Sequence, residues 1–185
     1  MYNLDMDPVD EEKMIAWCRE GNLAGYRLVY ERYSGPLLRV AMRTLGSLQD
    51  AEDAVQETFL RLFRGIGGFR SGSRFSSYLF QILHNTCLDL LRKRKPAAGS
   101  LSDSPAVEGL SVPATHEFCH EFAQAVGRLP EQMRASFLLF AVEEFSQEET
   151  AEILATSVGT VKTQVHRARK KLRAWLGSQA EGETS

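Results

Sequence analysis

Apolar residues recur at steps of three and four along almost the whole chain, and no stretch alternates with period two long enough to make a strand. Such spacing gives each helix one apolar stripe that must be buried against another helix, so the expected fold class is all-α. The pattern breaks once. Residues 95–115, KPAAGSLSDSPAVEGLSVPAT, are rich in Pro, Ala, Gly and Ser and carry no amphipathic period, which reads as a flexible linker. A chain of 185 residues then divides into two small helical modules, 8–95 and 116–176, joined by 96–115.

Helix starts are well marked. Asp7-Pro8 reads as an N-cap with proline at the first helical position, and Leu129-Pro130-Glu131 repeats the proline signal. Ser47-Leu48-Gln49-Asp50 opens a helix to about Arg64, with Ala51, Ala54, Val55, Thr58, Phe59, Leu62 and Phe63 as its apolar stripe. Its other face carries Asp50, Glu52, Asp53, Gln56 and Glu57. Residues 65–73 hold four glycines and two serines and read as a loop, after which a second long helix is expected over 75–94.

Composition excludes several classes. No apolar run approaches the roughly 20 residues of a membrane span, and the acidic start MYNLDMDPVDEEK is no secretory signal, so no membrane insertion and a cytoplasmic protein are expected. Cys18, Cys87 and Cys119 are odd in number and far apart, which argues against a disulfide framework; the sequence assigns them no role. His116, Cys119 and His120 share one short segment, but a structural zinc site needs four ligands and no further pair completes it, so no metal and no cofactor are expected. With no Gly-rich phosphate loop and no Ser/His/Asp arrangement, the chain does not read as an enzyme.

The net charge of −2 hides a segregation. Base gathers at Arg61, Arg64, Arg70, Arg74, Arg92, Lys93, Arg94 and Lys95, and again at Lys162, Arg167, Arg169, Lys170, Lys171 and Arg173. Acid fills the segments before residue 60 and over 117–152. Two basic patches imply two contacts with a polyanion and leave an acidic surface for another partner.

The second patch lies in a helix-turn-helix pattern, FSQEETAEILATSVGTVKTQVHRARKKLRAWL. Ser146 and Glu149 form a capping box, Ala151 and Leu154 face inward, and Ala155-Thr156-Ser157 make the turn. Val161, Val165, Ala168, Leu172 and Trp175 or Leu176 form the buried stripe of the second helix. Such a helix fits the major groove, where its early residues reach base edges and later ones neutralise phosphates. Thr160, Lys162, Thr163, Gln164 and Arg167 are the base-reading candidates; Arg169, Lys170 and Arg173 are backbone candidates. In the first module Phe69, Arg70, Arg74, Phe75, Tyr78 and Asn85 supply aromatic, polar and positive groups suited to an unstacked strand.

Two motifs resemble one family. Val158-Gly159-Thr160-Val161-Lys162-Thr163 with Arg167-Ala168-Arg169-Lys170-Lys171-Leu172 is similar to the terminal region of extracytoplasmic-function sigma factors, and Asp50-Ala51-Glu52-Asp53-Ala54-Val55-Gln56-Glu57-Thr58-Phe59 to the helix by which they dock on RNA polymerase. The resemblance implies sigma domain 2, then sigma domain 4. It also implies partners: core RNA polymerase through the beta-prime clamp helices and the beta flap, promoter DNA, and an anti-sigma factor.

By the same resemblance Asp50, Asp53, Gln56 and Glu57 would meet the clamp helices. Arg70, Arg74, Phe75, Tyr78, Asn85, Arg92 and Arg94 would hold the opened minus-ten element. Thr160, Lys162, Thr163, Gln164, Arg167, Arg169 and Lys170 would read the minus-thirty-five element. Three positions depart from the family pattern. Tyr78-Leu79 stands where the family has a Trp followed by Leu or Tyr, Gln81-Ile82-Leu83-His84-Asn85 where it has Arg-Ile-Ala-x-Asn, and Ala155 replaces a turn glycine, which would strain the backbone if its φ is positive. The alternative is a helix-turn-helix regulator that is not a polymerase subunit, although its expected alternating β/α receiver is not visible.

Overall fold

The computed structural model describes residues 8–69, 74–94 and 116–180. Helix α1 spans Pro8–Arg19, α2 Leu23–Leu45, α3 Leu48–Gly65 and α4 Phe75–Arg94, with one 3-10 turn at Ile66–Gly68 after α3. Helix α5 spans His116–Gly127, α6 Glu131–Phe137, α7 Gln147–Ile153 and α8 Val158–Ala180; α6 runs directly into a π-helical turn, Leu138–Val142. No strand occurs among the described residues.

Local chemistry sets the first module's turns. Asn22 Oδ1 accepts from the Ala24 amide at 2.9 Å and starts α2. Gly46, at φ +71°, ends α2 in the left-handed conformation that a side chain disfavours, and its N–H donates to Met42 O. Ser47 then caps α3 through the Asp50 amide at 3.3 Å, so two residues reverse the chain. At Gly25 a Cβ would lie 2.7 Å from Trp17 Cβ, so α1 and α2 approach this closely only because no side chain is there.

The stripes meet as their spacing requires. Val29, Tyr33, Leu37, Ala41 and Leu45 of α2 pack with Ala51, Ala54 and Leu62 of α3 and Leu79, Phe80, Leu83 and Cys87 of α4. In the second module Met133, Phe137 and Leu138 pack on Ala168 and Leu172, and Ala151 on Val161 and Val165.

Three readings change in detail. Pro130 is the N-cap of α6, which begins at Glu131. Phe63 is 55% exposed, its ring tilted against Tyr26 at a centroid distance of 4.8 Å. Leu154 packs not with Ala151 but against the first module, beside buried Ile153. The two modules are in fact in contact: Leu139, Phe145 and Ile153 belong to the apolar cluster of α1–α4.

Candidate protein and nucleic-acid interfaces

The outer face of α3 is fixed by its buried inner stripe. Asp53 and Gln56 are exposed, while Asp50 and Glu57 are half-buried. Asp50 sits in the first turn, where a carboxylate is favoured by the helix dipole. Glu57 accepts from Arg61 at 2.9 Å, and Arg61 also donates to Asp89 of α4 at 3.1 Å, which holds α3 and α4 in register. Exposed Leu60 continues the row of Asp53 and Gln56, at i+7 and i+4. The sequence reading missed it because a single exposed leucine carries no signal by itself.

Along α4 the expected strand-holding residues separate. Phe75 is 1% exposed, its ring edge-on to Tyr33 at 5.7 Å and to Phe69 at 5.6 Å, so it is framework and not an aromatic face offered to a base. Its amide donates to Glu11 Oε1 at 3.2 Å, which ties the start of α4 to α1. Tyr78 is half-buried against Phe69, with its hydroxyl donating to Gly65 O at 3.3 Å; burial pushes its phenol above the ordinary value. Asn85 is exposed one turn before Asp89. Arg92 is largely exposed and lies 3.7 Å from Asp89. Arg94 closes α4, and Arg70 falls outside the described residues. Arg74 pairs with Glu149 of α7 at 3.1 Å.

The helix-turn-helix forms as its local signals require. Ser146 Oγ accepts from the Glu149 amide, and the Glu149 carboxylate accepts from the Ser146 amide. Ala155 takes φ +49°, the strained turn that its missing glycine implies. Ser157 Oγ accepts from the Thr160 amide at 3.1 Å, so Ser157 caps α8 and does not merely fill the turn.

Buried Val161, Val165, Ala168 and Leu172 turn the opposite face of α8 outward. Lys162, Thr163, Arg167, Arg169 and Lys170 are exposed there, and Thr160 and Gln164 are half-buried. Arg169 lies over the Phe140 ring at 5.6 Å, so this cation is partly positioned by the protein itself.

Burial raises the Cys18 thiol to about 11 and the Cys87 thiol to about 12, which leaves both protonated and unreactive at neutral pH. No group of three or more His, Cys, Asp or Glu residues that could hold a metal occurs among the described residues. Cys119, His116 and His120 lie in α5, and their side chains fall outside that description.

Residues 29–96 match the family model of sigma-70 region 2, and residues 119–172 match that of sigma-70, region 4. The ECF RNA polymerase sigma factor SigW of Bacillus subtilis (strain 168) is 30% identical over 179 residues, covering 89% of this chain and 96% of SigW. The chain belongs to the ECF sigma factors. EcfG of Rhodopseudomonas palustris (strain TIE-1), another ECF RNA polymerase sigma factor, is 38% identical over 144 residues, covering 76% of this chain and 80% of EcfG.

Two solved structures are similar to this sigma factor over most of its length. CnrH, in complex with the cytosolic domain of CnrY, matches with a TM-score of 0.72 at 25% identity over 91% of this chain and 97% of that one. RpoE of Bartonella quintana, in complex with the anti-sigma factor NepR, matches with a TM-score of 0.67 at 27% identity over 82% and 96%. Region 2 takes in α3 and α4 and region 4 takes in α6, α7 and the first two thirds of α8, so the sigma factor reading replaces the alternative of a regulator that is not a polymerase subunit. No helix among the described residues is long and apolar enough to cross a membrane.

Proposed function

We propose that the sigma factor works without catalysis, in the cytoplasm and without a cofactor, by presenting three separate faces. The face of α3 formed by Asp50, Asp53, Gln56 and Glu57, extended by Leu60, docks on core RNA polymerase. An apolar residue within a polar rim is the composition of a protein interface. Arg74, Tyr78, Asn85, Arg92 and Arg94, with Arg70 before them, hold the opened minus-ten strand, and buried Phe75 supports that surface from behind. Thr160, Lys162, Thr163, Gln164 and Arg167 read the minus-thirty-five duplex, while Arg169 and Lys170 neutralise its phosphates. Modules 8–95 and 116–176 are the units that carry these faces.

The observation that carries this reading is the sidedness of α3. Its inner residues Ala51, Ala54, Val55, Thr58 and Leu62 are all buried, so docking through the acidic and amide row outside needs no repacking of the core. CnrH and RpoE are each seen with a protein partner, which supports an anti-sigma factor for this chain as well.

Asp53→Arg combined with Gln56→Arg should abolish co-purification with core polymerase while leaving the helical circular dichroism and melting temperature unchanged. Normal association of this double variant would refute the assignment of α3.

A further inference from the structure

Helix α1 lies before residues 29–96, the part of the chain that matches sigma-70 region 2, and none of the three proposed faces uses it. It is nevertheless firmly placed. Met14, Ile15 and Cys18 are buried in the core of the first module, Gly25 lets α2 approach Trp17, and the Tyr26 hydroxyl donates to Cys18 O at 2.8 Å. Helix α1 also packs on the 3-10 turn Ile66–Gly68 that follows α3.

Two polar side chains of α1 reach the connection between α3 and α4. Arg19 Nη2 donates to Phe69 O, just after the 3-10 turn, and Glu11 Oε1 accepts from the amide of Phe75, the first residue of α4, at 3.2 Å. Glu11, Ile15 and Arg19 follow one another at steps of four, so they line one ridge of α1, with buried Ile15 between the two polar ends. Eight residues at about 1.5 Å each put the two holding groups about 12 Å apart along that ridge. One helix thus grips the chain where it leaves α3 and again where it enters α4.

Each bond meets a need of the backbone it touches. The Phe75 N–H belongs to the first turn of α4, where amides lack a partner within the helix and a carboxylate is favoured by the helix dipole. The Phe69 carbonyl belongs to a residue only 7% exposed, and Arg19 gives it a charged donor. The Phe69 and Phe75 rings meet edge-on at 5.6 Å, and Tyr78 packs on Phe69 with centroids 5.1 Å apart. Shifting either end of the connection would therefore shift Tyr78, and Arg74, the residue before Phe75, with it. Burial pushes the Tyr33 hydroxyl up to about 12, with Glu11 adding to the rise and Arg32 and Arg74 opposing it, so Glu11 and Arg74 both bear on one buried group.

We propose that α1 is a positioning element for recognition of the opened strand: Arg19 and Glu11 hold Phe69 and Phe75 at the spacing and orientation in which Arg74 and Tyr78 meet that strand. The proposal rests on the reading of Arg74 and Tyr78 as part of the minus-ten surface. Arg19 and Glu11 act without touching DNA. They contribute order before binding, because a surface already held in its bound arrangement loses less freedom when the strand arrives. Sequence discrimination is what this order protects, since base contacts carry the sequence and phosphate contacts do not.

The test uses holoenzyme assembled from the full-length chain and core polymerase. A single-stranded DNA pool randomised over a short window is enriched by the wild-type holoenzyme, and discrimination is the affinity for the enriched strand divided by that for the starting pool. Arg19→Ala and Glu11→Ala should each lower this ratio about fivefold, the effect of roughly one positioning hydrogen bond, with affinity for core polymerase unchanged. Arg19→Lys keeps a charged donor and Glu11→Gln keeps an oxygen acceptor without the charge, so each should retain most of the discrimination. Val40→Ala, which trims the core at the other end of α2 from the Gly25 contact, should lower the melting temperature and leave the ratio unchanged.

An unchanged ratio in either alanine variant, an equal loss in the matching conservative variant, or an equal loss in Val40→Ala would each overturn the positioning role. Equal weakening toward both strands by Arg19→Ala leaves the ratio unchanged and would make Arg19 a phosphate contact instead. Tyr78→Ala runs in the same assay. If it too leaves the ratio unchanged, the reading of α4 falls and the proposal with it, whereas a Tyr78 effect without an Arg19 or Glu11 effect removes the proposal alone.

Discussion

Helices α4 and α8 both present polar and basic residues, but those of α8 are the less engaged by the rest of the protein. Lys162, Thr163, Arg167 and Lys170 stand exposed over a continuous buried stripe, and the hydrogen bonds beside them close within one turn, as in Thr163 Oγ1 to Gly159 O. On α4 and the residue before it, Phe75 is buried in the core, Tyr78 donates to Gly65 and Arg92 lies beside Asp89, while Arg74 pairs with Glu149 though still 62% exposed and Asn85 stays exposed. The difference fits the roles proposed for the two surfaces. A duplex is present before binding, so its reader can be pre-formed. A single strand exists only after melting, so residues proposed to hold it need not all stand exposed beforehand.

The largest effect that would sharpen this contrast belongs to Phe75. If its ring is framework, Phe75→Ala should cost about 3–5 kcal/mol and lower the melting temperature by on the order of 10 °C, because a large aromatic leaves a cavity between α2 and α4. Tyr78→Ala, half-buried, should cost less stability and instead impair strand opening by the holoenzyme, with about 1–3 kcal/mol of base stacking lost. A template mismatched at the start site should then partly rescue transcription by Tyr78→Ala. Were Phe75→Ala to leave the melting temperature unmoved and abolish melting of the promoter, α4 would be as exposed a reader as α8.

The same contrast explains what could be read in the sequence. The helix-turn-helix was legible because its determinants are neighbours: Ser146 with Glu149, Ala155 in place of glycine, and Val161 to Leu172 at helical spacing. The Ser47 cap and the α3 stripe were legible for the same reason. Phe75 was misread because its burial depends on Tyr33, 42 residues earlier in sequence, and on the turn around Phe69. Glu143 gave no signal at all. It looks like any surface acid until Arg39, 104 residues away, is placed beside it. A linker-like composition at 95–115 suggested separate modules, but docking is decided by Phe80, Phe145 and Ile153, whose pairing no local pattern encodes.

A smaller effect is expected at the turn before α8. Ala155 holds φ +49°, a region that costs a residue bearing Cβ roughly 1–2 kcal/mol. Glycine would remove that strain but gain freedom in the unfolded chain, a loss of about 0.4–1 kcal/mol. Ala155→Gly should therefore stabilise the protein by about 1 kcal/mol or less in urea unfolding, with DNA recognition by α8 unchanged. A destabilised variant would mean that the Ala155 methyl makes a contact that outweighs its backbone strain.

The smallest expected effect lies at His84, on the side of α4 that faces the second module. Burial pushes its imidazole below the ordinary value of 6.5, and Glu131 of α6 pulls weakly the other way. Burial is the larger cause, so the folded, docked chain favours neutral His84, whereas an unfolded chain takes up the proton near the ordinary value. The unfolded state thus binds more protons as the solution is acidified. The contribution of His84 is complete above about 6.5 and is lost as pH falls through its depressed folded value. Gln, which stays neutral, isolates this term from the carboxylates and other histidines, since those titrate alike in both proteins. Urea unfolding between pH 8 and 5 should show the wild-type chain losing stability relative to His84→Gln as pH falls. Parallel curves would mean that α4 is not buried at His84 in solution, which would place this part of α4 nearer to α8 in exposure than the docked arrangement has it, whereas a relative gain would mean that the attraction to Glu131 exceeds the cost of burial.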